Sequence, residues 1–263
     1  MKKGFFPLAL FSMIVFWLSP STDFALARSL QFQPSRLERT LFSEKFHTLT
    51  ITGQVPEGAG IILKIVSPRR EFKLNKLGKG LGFVWLPTRH AEVSNVPGMW
   101  ALLSSAKLSE LLGKEEQKAA GLTSDFQEIY PEAQVAHKGN PKREEEGNLK
   151  REYISGLIQI LKKANLYQWR EGSVKINGDQ FEARLIHPAT APLGEYRVFC
   201  YAVKGGKARL LDEQTFQVQA AGLAQWLSLL SRIHPAAYGI LAALMAVGAG
   251  IFVGTLFKRG SGH

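Results

Sequence analysis

The C-terminal end constrains this chain more than any other feature. From Ala236 to Phe257 there is no charged side chain, and Lys258-Arg259 follow at once. As a helix at ~1.5 Å per residue, the run is ~33 Å long, enough to cross a hydrocarbon core of ~30 Å. In lipid every backbone polar group needs a partner within the segment, so one isolated apolar run of this length reads as a transmembrane helix over 236–257. The two cations assign the short tail, 258–263, to the cytoplasmic side.

The N-terminus carries an independent signal. Met1-Lys2-Lys3 precedes an uncharged run from Gly4 to Leu18, a Ser19-Pro20 breaker and Ala25-Leu26-Ala27. A basic start, a short apolar core and an A-x-A site make an export signal over 1–27, with a mature start at Arg28. The run is short for a spanning helix, and Pro7 interrupts it. Both ends predict the same topology: a single-pass inner-membrane protein with its bulk on the periplasmic side and its C-terminus in the cytoplasm.

Within the span, Ala242, Ala246, Gly250 and Gly254 recur every fourth residue. A stripe of small residues lets two helix backbones approach closely, the main source of helix association in lipid, so it is a candidate packing face for a permease or a second copy of the chain. Residues 221–235 form a juxtamembrane connector. Its segment from Leu223 to Ile233 has the spacing of an amphipathic helix, and Trp226 and Tyr238 suit the membrane interface.

The region between the apolar ends, 28–220, reads as one β-rich domain. Alternation at Thr48–Gly53, a continuous apolar run at Ile61–Val66, and further short runs at 72–74, 81–86, 91–96 and 99–103 predict strands at regular spacing. A helical insertion is expected over about 105–166. Ser104-Ser105 would cap a first helix carrying Leu108, Leu111 and Leu112. A longer helix from Glu144 to Leu166 has Leu149, Tyr153, Leu157, Ile160, Leu161 and Ala164 on one stripe. The charged, Pro/Gly-containing stretch 130–147 reads as a loop. Strands return at 173–176, 181–186, 194–203 and 208–218, with Asn177-Gly178 and Gly205-Gly206 as hairpin turns. The expected class is mainly β, an Ig-like sandwich with a helical insertion and one C-terminal membrane helix.

Catalytic grammar is sparse. His47, His90, His137, His187, His234 and His263 are scattered without metal-ligand spacing, and there is no GxSxG, Walker or GxGxxG motif. No metal, cofactor or catalytic residue is therefore assigned; histidines converging in space are the one route to an enzyme. The single cysteine, Cys200, sits in an apolar run and reads as a buried thiol. The net charge of +11 is spread among acidic residues, as in Lys142-Arg143-Glu144-Glu145-Glu146, which argues for solvated faces and against nucleic acid. One local cluster, Lys64, Arg69, Arg70 and Lys73, is a candidate site for a small anion.

Several stretches together resemble a known family: Phe83-Val84-Trp85-Leu86, Val93 to Ser105, Tyr153 to Tyr167, Ala191 to Val198, and the anchor from His234 to Arg259. The chain resembles the family of putative transmembrane proteins first described in alphaproteobacteria. That resemblance implies exported, single-anchor proteins often encoded beside permeases similar to the TauE/SafE sulfite-exporter class. The expectations, in order, are a non-enzymatic accessory subunit of an inner-membrane transport system, such as one for sulfite or another sulfur oxyanion. Next comes a periplasmic small-anion binding module, and last a periplasmic enzyme with converged histidines. The export reading has a direct check: the mass of the protein purified from membranes should correspond to a chain starting at Arg28, and a mass retaining Met1 would contradict it.

Overall fold

The computed structural model describes residues 30–40, 45–80, 84–137 and 143–258. The expected export signal at 1–27, the tail cation Arg259, residues 81–83 of one expected strand and residues 138–142 of the charged loop lie outside the described residues. The elements begin with β1 (Gln31–Gln33), β2 (Arg36–Arg39), β3 (Phe46–Gln54), β4 (Gly60–Val66), β5 (Arg69–Gly80), β6 (Val84–Pro97) and β7 (Trp100–Ser104). The helical part follows as α1 (Leu108–Leu111), α2 (Lys114–Ala119), α3 (Ile129–Glu132), a short strand β8 (Gln134–His137) and the long α4 (Arg143–Lys163). The chain then runs through β9 (Tyr167–Arg170), β10 (Val174–Asn177), β11 (Gln180–Pro188), β12 (Gly194–Lys204) and β13 (Lys207–Ala220) to α5 (Leu223–Ile233) and α6 (Pro235–Lys258).

Among the described residues the strands form three sheets. The first has the order β1-β3-β11-β10, the second β2-β13-β12-β4-β7-β9, and the third β5-β6-β8. Strands from before and after the helices share both of the larger sheets, so the two sets of strands interleave. Pairing is antiparallel except at two places in the second sheet, where β2 runs parallel to β13 and β7 parallel to β9.

The period-2 alternation of strands explains how the layers stack. Ile61, Leu63 and Ile65 of β4 are register partners of Ala202, Cys200 and Val198 of β12, and all are buried. This face packs on Leu49, Ile51, Phe181, Ala183 and Leu185 of the first sheet in one continuous core. Ring contacts cross between the two sheets, Phe32 to Phe216 at 5.5 Å and His187 to Tyr196 at 5.3 Å. The opposite face of the second sheet carries Trp100 and Tyr167, and it is covered by the helical segment. Phe126 wedges between those two rings, with centroids 4.8 and 5.2 Å away. A strand buried on both sides needs apolar residues at every position, which is why β4 reads Ile-Ile-Leu rather than as an alternation.

Helix α4 presents Tyr153, Ile154, Leu157, Ile158 and Leu161 to this layer; Tyr153, Leu157 and Leu161 are the expected stripe, but Ile160 and Ala164 face solvent and Ile154 and Ile158 take the buried side instead. Helix α1, however, is not capped by Ser104 or Ser105. It starts after Lys107 with no side-chain cap of its own, and the Leu108 N–H donates to the Glu171 carboxylate at 2.9 Å. The Ser104 hydroxyl instead donates to the Ala106 carbonyl. A tertiary contact has replaced the local one. The separately expected runs at 72–74 and 91–96, and residues 84–86 of the run expected at 81–86, belong to two long strands, β5 and β6. Part of the expected loop 130–147 is strand β8, paired with β6, and part is the first turn of α4.

Leu63 is fully buried on the central strand, whereas Ile160 of α4 is 54% exposed. Denaturant unfolding of the detergent-solubilised chain should show Leu63→Ala losing about 3 kcal/mol and Ile160→Ala within about 0.5 kcal/mol of the parent.

Candidate functional site

The chain is busiest at one end of the second sheet. Val66 at the end of β4 pairs with Trp100 at the start of β7 and with Arg197 near the start of β12, while Gly194 at the start of β12 pairs with Val218 near the end of β13. The connection to α5 and α6 therefore leaves from the same end at which β4 passes into β5. The two exits are two strands apart, about 10 Å at the usual strand spacing. Between β4 and β5 the ladder is not broken. Ser67 N–H donates to the Met99 carbonyl at 3.0 Å, and Gly98 N–H donates to the Pro68 carbonyl at 3.1 Å. The buried Ser67 hydroxyl accepts from Met99 N–H at 2.7 Å.

A loop from Ala189 to Leu193 closes over this junction. A methyl group at Gly98 would sit 2.3 Å from Cγ of Pro192 and 2.9 Å from Cδ of Arg70, so the absence of a side chain is what lets the loop approach. Beneath the loop lies a buried polar cluster. Tyr196 O–H donates to the Pro192 carbonyl at 2.7 Å, four residues upstream, and the same oxygen contacts His187 Nε2 at 3.1 Å. With the hydroxyl proton committed to Pro192, the oxygen accepts from Nε2–H, which leaves Nδ1 of His187 as the unprotonated nitrogen. Arg39 Nη1 donates to the carbonyls of Ala189 and Ala191, the second at 2.8 Å. The Arg39 carbonyl in turn accepts from Ala221 N–H at 2.9 Å, where the chain turns toward α5.

His47 lies directly opposite His187 in the register of β3 and β11. Two of the scattered histidines thus converge, a pairing that no spacing in the sequence could reveal because it depends on strand register. His187 Nδ1 and His47 Nε2 are both buried without a hydrogen-bond partner. Burial holds the His187 imidazole neutral, lowering its pKa from the ordinary 6.5 to about 4, with His47 and Arg39 adding smaller contributions in the same direction. Burial likewise pushes the Tyr196 hydroxyl well above its ordinary range. The positive Arg39 beside His187 opposes a cation there, and among the described residues no group of three or more His, Cys, Asp or Glu side chains could hold a metal ion. The cluster suits a structural role, pinning the loop, the exit of the anchor and the junction of β4 with β5.

The other residues singled out from the sequence are dispersed. Lys64 projects to the helical side, where its ammonium donates to the Gly121 carbonyl at 2.9 Å and lies 3.7 Å from Glu128. Burial raises the Glu128 carboxyl above its ordinary range, and Lys64 opposes that shift. Arg69 is exposed and bonded to Asn95 and Glu132, and Lys73 pairs with Glu92 at 3.4 Å. Arg70 lies against Gly98 at the junction. The four cations do not share a site, and three already have a carboxylate. Cys200 is buried and its thiol is pushed up to about 12 by burial and by Asp212, so it is protonated and unreactive at neutral pH. His90 contacts Asn75 at 2.7 Å. A groove of about 820 Å³ between the α3 region and α4 is lined by Asp125, Gln127, Tyr130, Lys150, Arg151 and Glu152, a mixture of both charges without a focused field.

From Pro235 to Thr255 the anchor is exposed, apart from half-buried Leu241. Residues 235–255 have a mean hydropathy of 2.1 and none of their most apolar window is buried within the chain. Ala242, Ala246, Gly250 and Gly254 are all exposed, and nothing lies within 4 Å of a Cβ built at Gly250 or Gly254. In α5, Trp226, Leu229 and Ile233 line one side and are also exposed.

The polar cluster predicts a pH dependence. The folded pKa of His187 is depressed, so the stabilisation from the neutral imidazole is fully present above pH ~6.5 and is lost as pH falls toward about 4. The loss is on the order of 3 kcal/mol. Thermal unfolding between pH 7.5 and 4 should flatten in His187→Gln relative to the parent, whereas an unchanged slope would remove His187 as the origin. Tyr196→Phe leaves the Pro192 carbonyl and His187 Nε2–H unpaired, and should cost about 1–3 kcal/mol at neutral pH in the same measurement.

No curated protein and no solved structure matches the chain. A family profile described as "Putative transmembrane protein (Alph_Pro_TM)" matches residues 45–259, from β3 through the whole of α6. That match covers well over half of the 263 residues and takes in the anchor and the polar cluster except Arg39. The chain belongs to this family of transmembrane proteins.

Proposed function

We propose that this protein is a non-enzymatic accessory subunit of an inner-membrane transport system, anchored by α6 with its β-rich domain in the periplasm and its tail in the cytoplasm. The observation that carries the reading is the bare anchor. α6 is apolar all round and touches little besides its own connector, yet it keeps four small residues in register along one side. In lipid an apolar surface gains nothing by leaving the tails, so recognition between helices depends on close backbone approach, which this stripe permits.

The orientation rests on the export signal expected at 1–27 and on Lys258-Arg259 after the span. We also infer an Ig-like sandwich for the two larger sheets. Its support is the core between the two sheets and the bond from Tyr196 O–H to the Pro192 carbonyl, which has the form of the tyrosine corner of such domains. The cargo is taken to be an anion such as a sulfur oxyanion, on the strength of the permease class implied by the family resemblance. Direct capture of that anion by the domain ranks lower, because Lys64, Arg69 and Lys73 are already paired with carboxylates.

The test is co-purification from native membranes. Gly250→Leu with Gly254→Leu should reduce recovery of the membrane partner by about tenfold while the protein remains membrane-inserted, since a bulky side chain holds the backbones apart. Unchanged recovery would show that the stripe is not the interface.

A further inference from the structure

Helix α5 has an apolar side that the β-rich domain does not cover. Trp226, Leu229 and Ile233 recur at i, i+3 and i+7, the spacing of one helix face, while Gln225, Ser228 and Arg232 fall on another. A connector packed on the domain would bury the first set. Instead Trp226 is 50%, Leu229 56% and Ile233 58% exposed. Three large apolar side chains left together on one helix face mark a surface that something else covers.

What covers it follows from where the helix ends. α5 stops at Ile233 and α6 begins at Pro235, so a single residue, His234, separates this face from the membrane span. The His234 backbone is not helical, with φ −132° and ψ 69°, in keeping with a residue that precedes proline. The break lets α5 take a direction of its own. One residue from the bilayer, its apolar side is within reach of the acyl chains. A helix with tryptophan and aliphatic residues on one side and polar residues on the other is of the kind that lies in the plane of the interface. The membrane that receives α6 is therefore sufficient to cover this face, with no protein partner required.

The other end of α5 is fixed to the domain. Only Ala221 and Gly222 separate it from β13. Ala221 is buried, and its N–H donates to the Arg39 carbonyl at 2.9 Å. Gly222, at φ 64° and ψ −139°, holds a conformation that residues with a side chain rarely adopt. Two residues reach at most ~7 Å, so the end of the sandwich from which β13 leaves stays beside α5. That end carries Leu193, which is 39% exposed and precedes Gly194, the register partner of Val218. Lys204 stands at the other end of β12, about 33 Å from Gly194 at the usual rise per residue.

We propose that the side of α5 formed by Trp226, Leu229 and Ile233 lies in the headgroup boundary of the leaflet that α6 enters, and that the corner at Ala221-Gly222 thereby seats the Leu193 end of the sandwich against the bilayer. An upright α5 would instead be a stalk of about 16 Å between domain and membrane. Seated in this way, the domain has one fixed face toward the lipid, and the buried cluster of Tyr196, His187 and Arg39 stands at that face. The proposal rests on anchoring by α6 and not on any permease, so its failure would leave the co-purification result untouched.

The experiment uses the full chain, with its buried Cys200 left in place and one added cysteine carrying a fluorophore, in vesicles of phosphatidylethanolamine and phosphatidylglycerol. Quenching by lipid spin-labelled near the headgroup is read at Trp226→Cys and Ser228→Cys, with Leu229→Cys as a second probe of the apolar side. The labels at 226 and 229 should be quenched about threefold more than the label at 228. A stalk predicts the reverse order for the first pair, because position 226 is further along the chain from α6 than 228. Leu193→Cys should in turn be quenched about twofold or more above Lys204→Cys. Stronger quenching at 228 than at 226 would overturn the proposal, as would equal quenching at all three α5 positions, which would place a protein surface or water over the apolar side. Equal quenching at 193 and 204 would overturn the seating of the domain.

Discussion

The Tyr196 hydroxyl is the point on which the junction between domain and anchor depends. It is buried, its proton is committed to the Pro192 carbonyl, and its oxygen takes the Nε2–H of His187. Those two bonds tie the first sheet to the second and fold the Ala189–Leu193 loop over Gly98, where the β4–β7 ladder leaves the sandwich. Arg39 holds the same loop through two carbonyls and passes the connection to Ala221, which follows β13 just ahead of the Gly222 cap of α5. A buried polar network is worth keeping only when its members are nearly all satisfied. Here the two unpaired ring nitrogens of His47 and His187 are the exceptions, and the depressed pKa of the buried His187 makes this end of the domain sensitive to acid.

Much of this architecture was legible in the sequence because the signals are local. The apolar stretch of α6 matches its predicted span to within a residue at each end, the hairpins at Asn177-Gly178 and Gly205-Gly206 stand where their patterns put them, and α4 is a helix whose predicted stripe is buried at Tyr153, Leu157 and Leu161 though not at Ile160 and Ala164. What escaped is non-local. β1, β2, β8 and β9 are three or four residues long, too short for an alternation to register, and they exist because longer strands offer them an edge. The capping of α1 by Glu171 rather than by Ser104 or Ser105 belongs to the same class.

The candidate site divided along the same line. The small-residue stripe is a property of one helix and could be read directly. The cluster of Lys64, Arg69, Arg70 and Lys73 looked compact only because the residues are close in sequence. Lys64 lies within a sheet and faces the helices, while Arg69 and Lys73 meet Glu132 and Glu92 around the hairpin. Conversely, His47 and His187 are far apart in the chain and meet because β3 and β11 pair in a register that sets them opposite each other.

The proposed role of α6 as a recognition element as well as a tether is tested most directly by photo-crosslinking from within the span. A photoreactive amino acid at Ala246, on the small-residue side, should form protein adducts in native membranes, while the same group at Val247, about 100° further round the helix, should react mainly with lipid. Lipid adducts alone from both positions would contradict the account and leave α6 as a simple anchor.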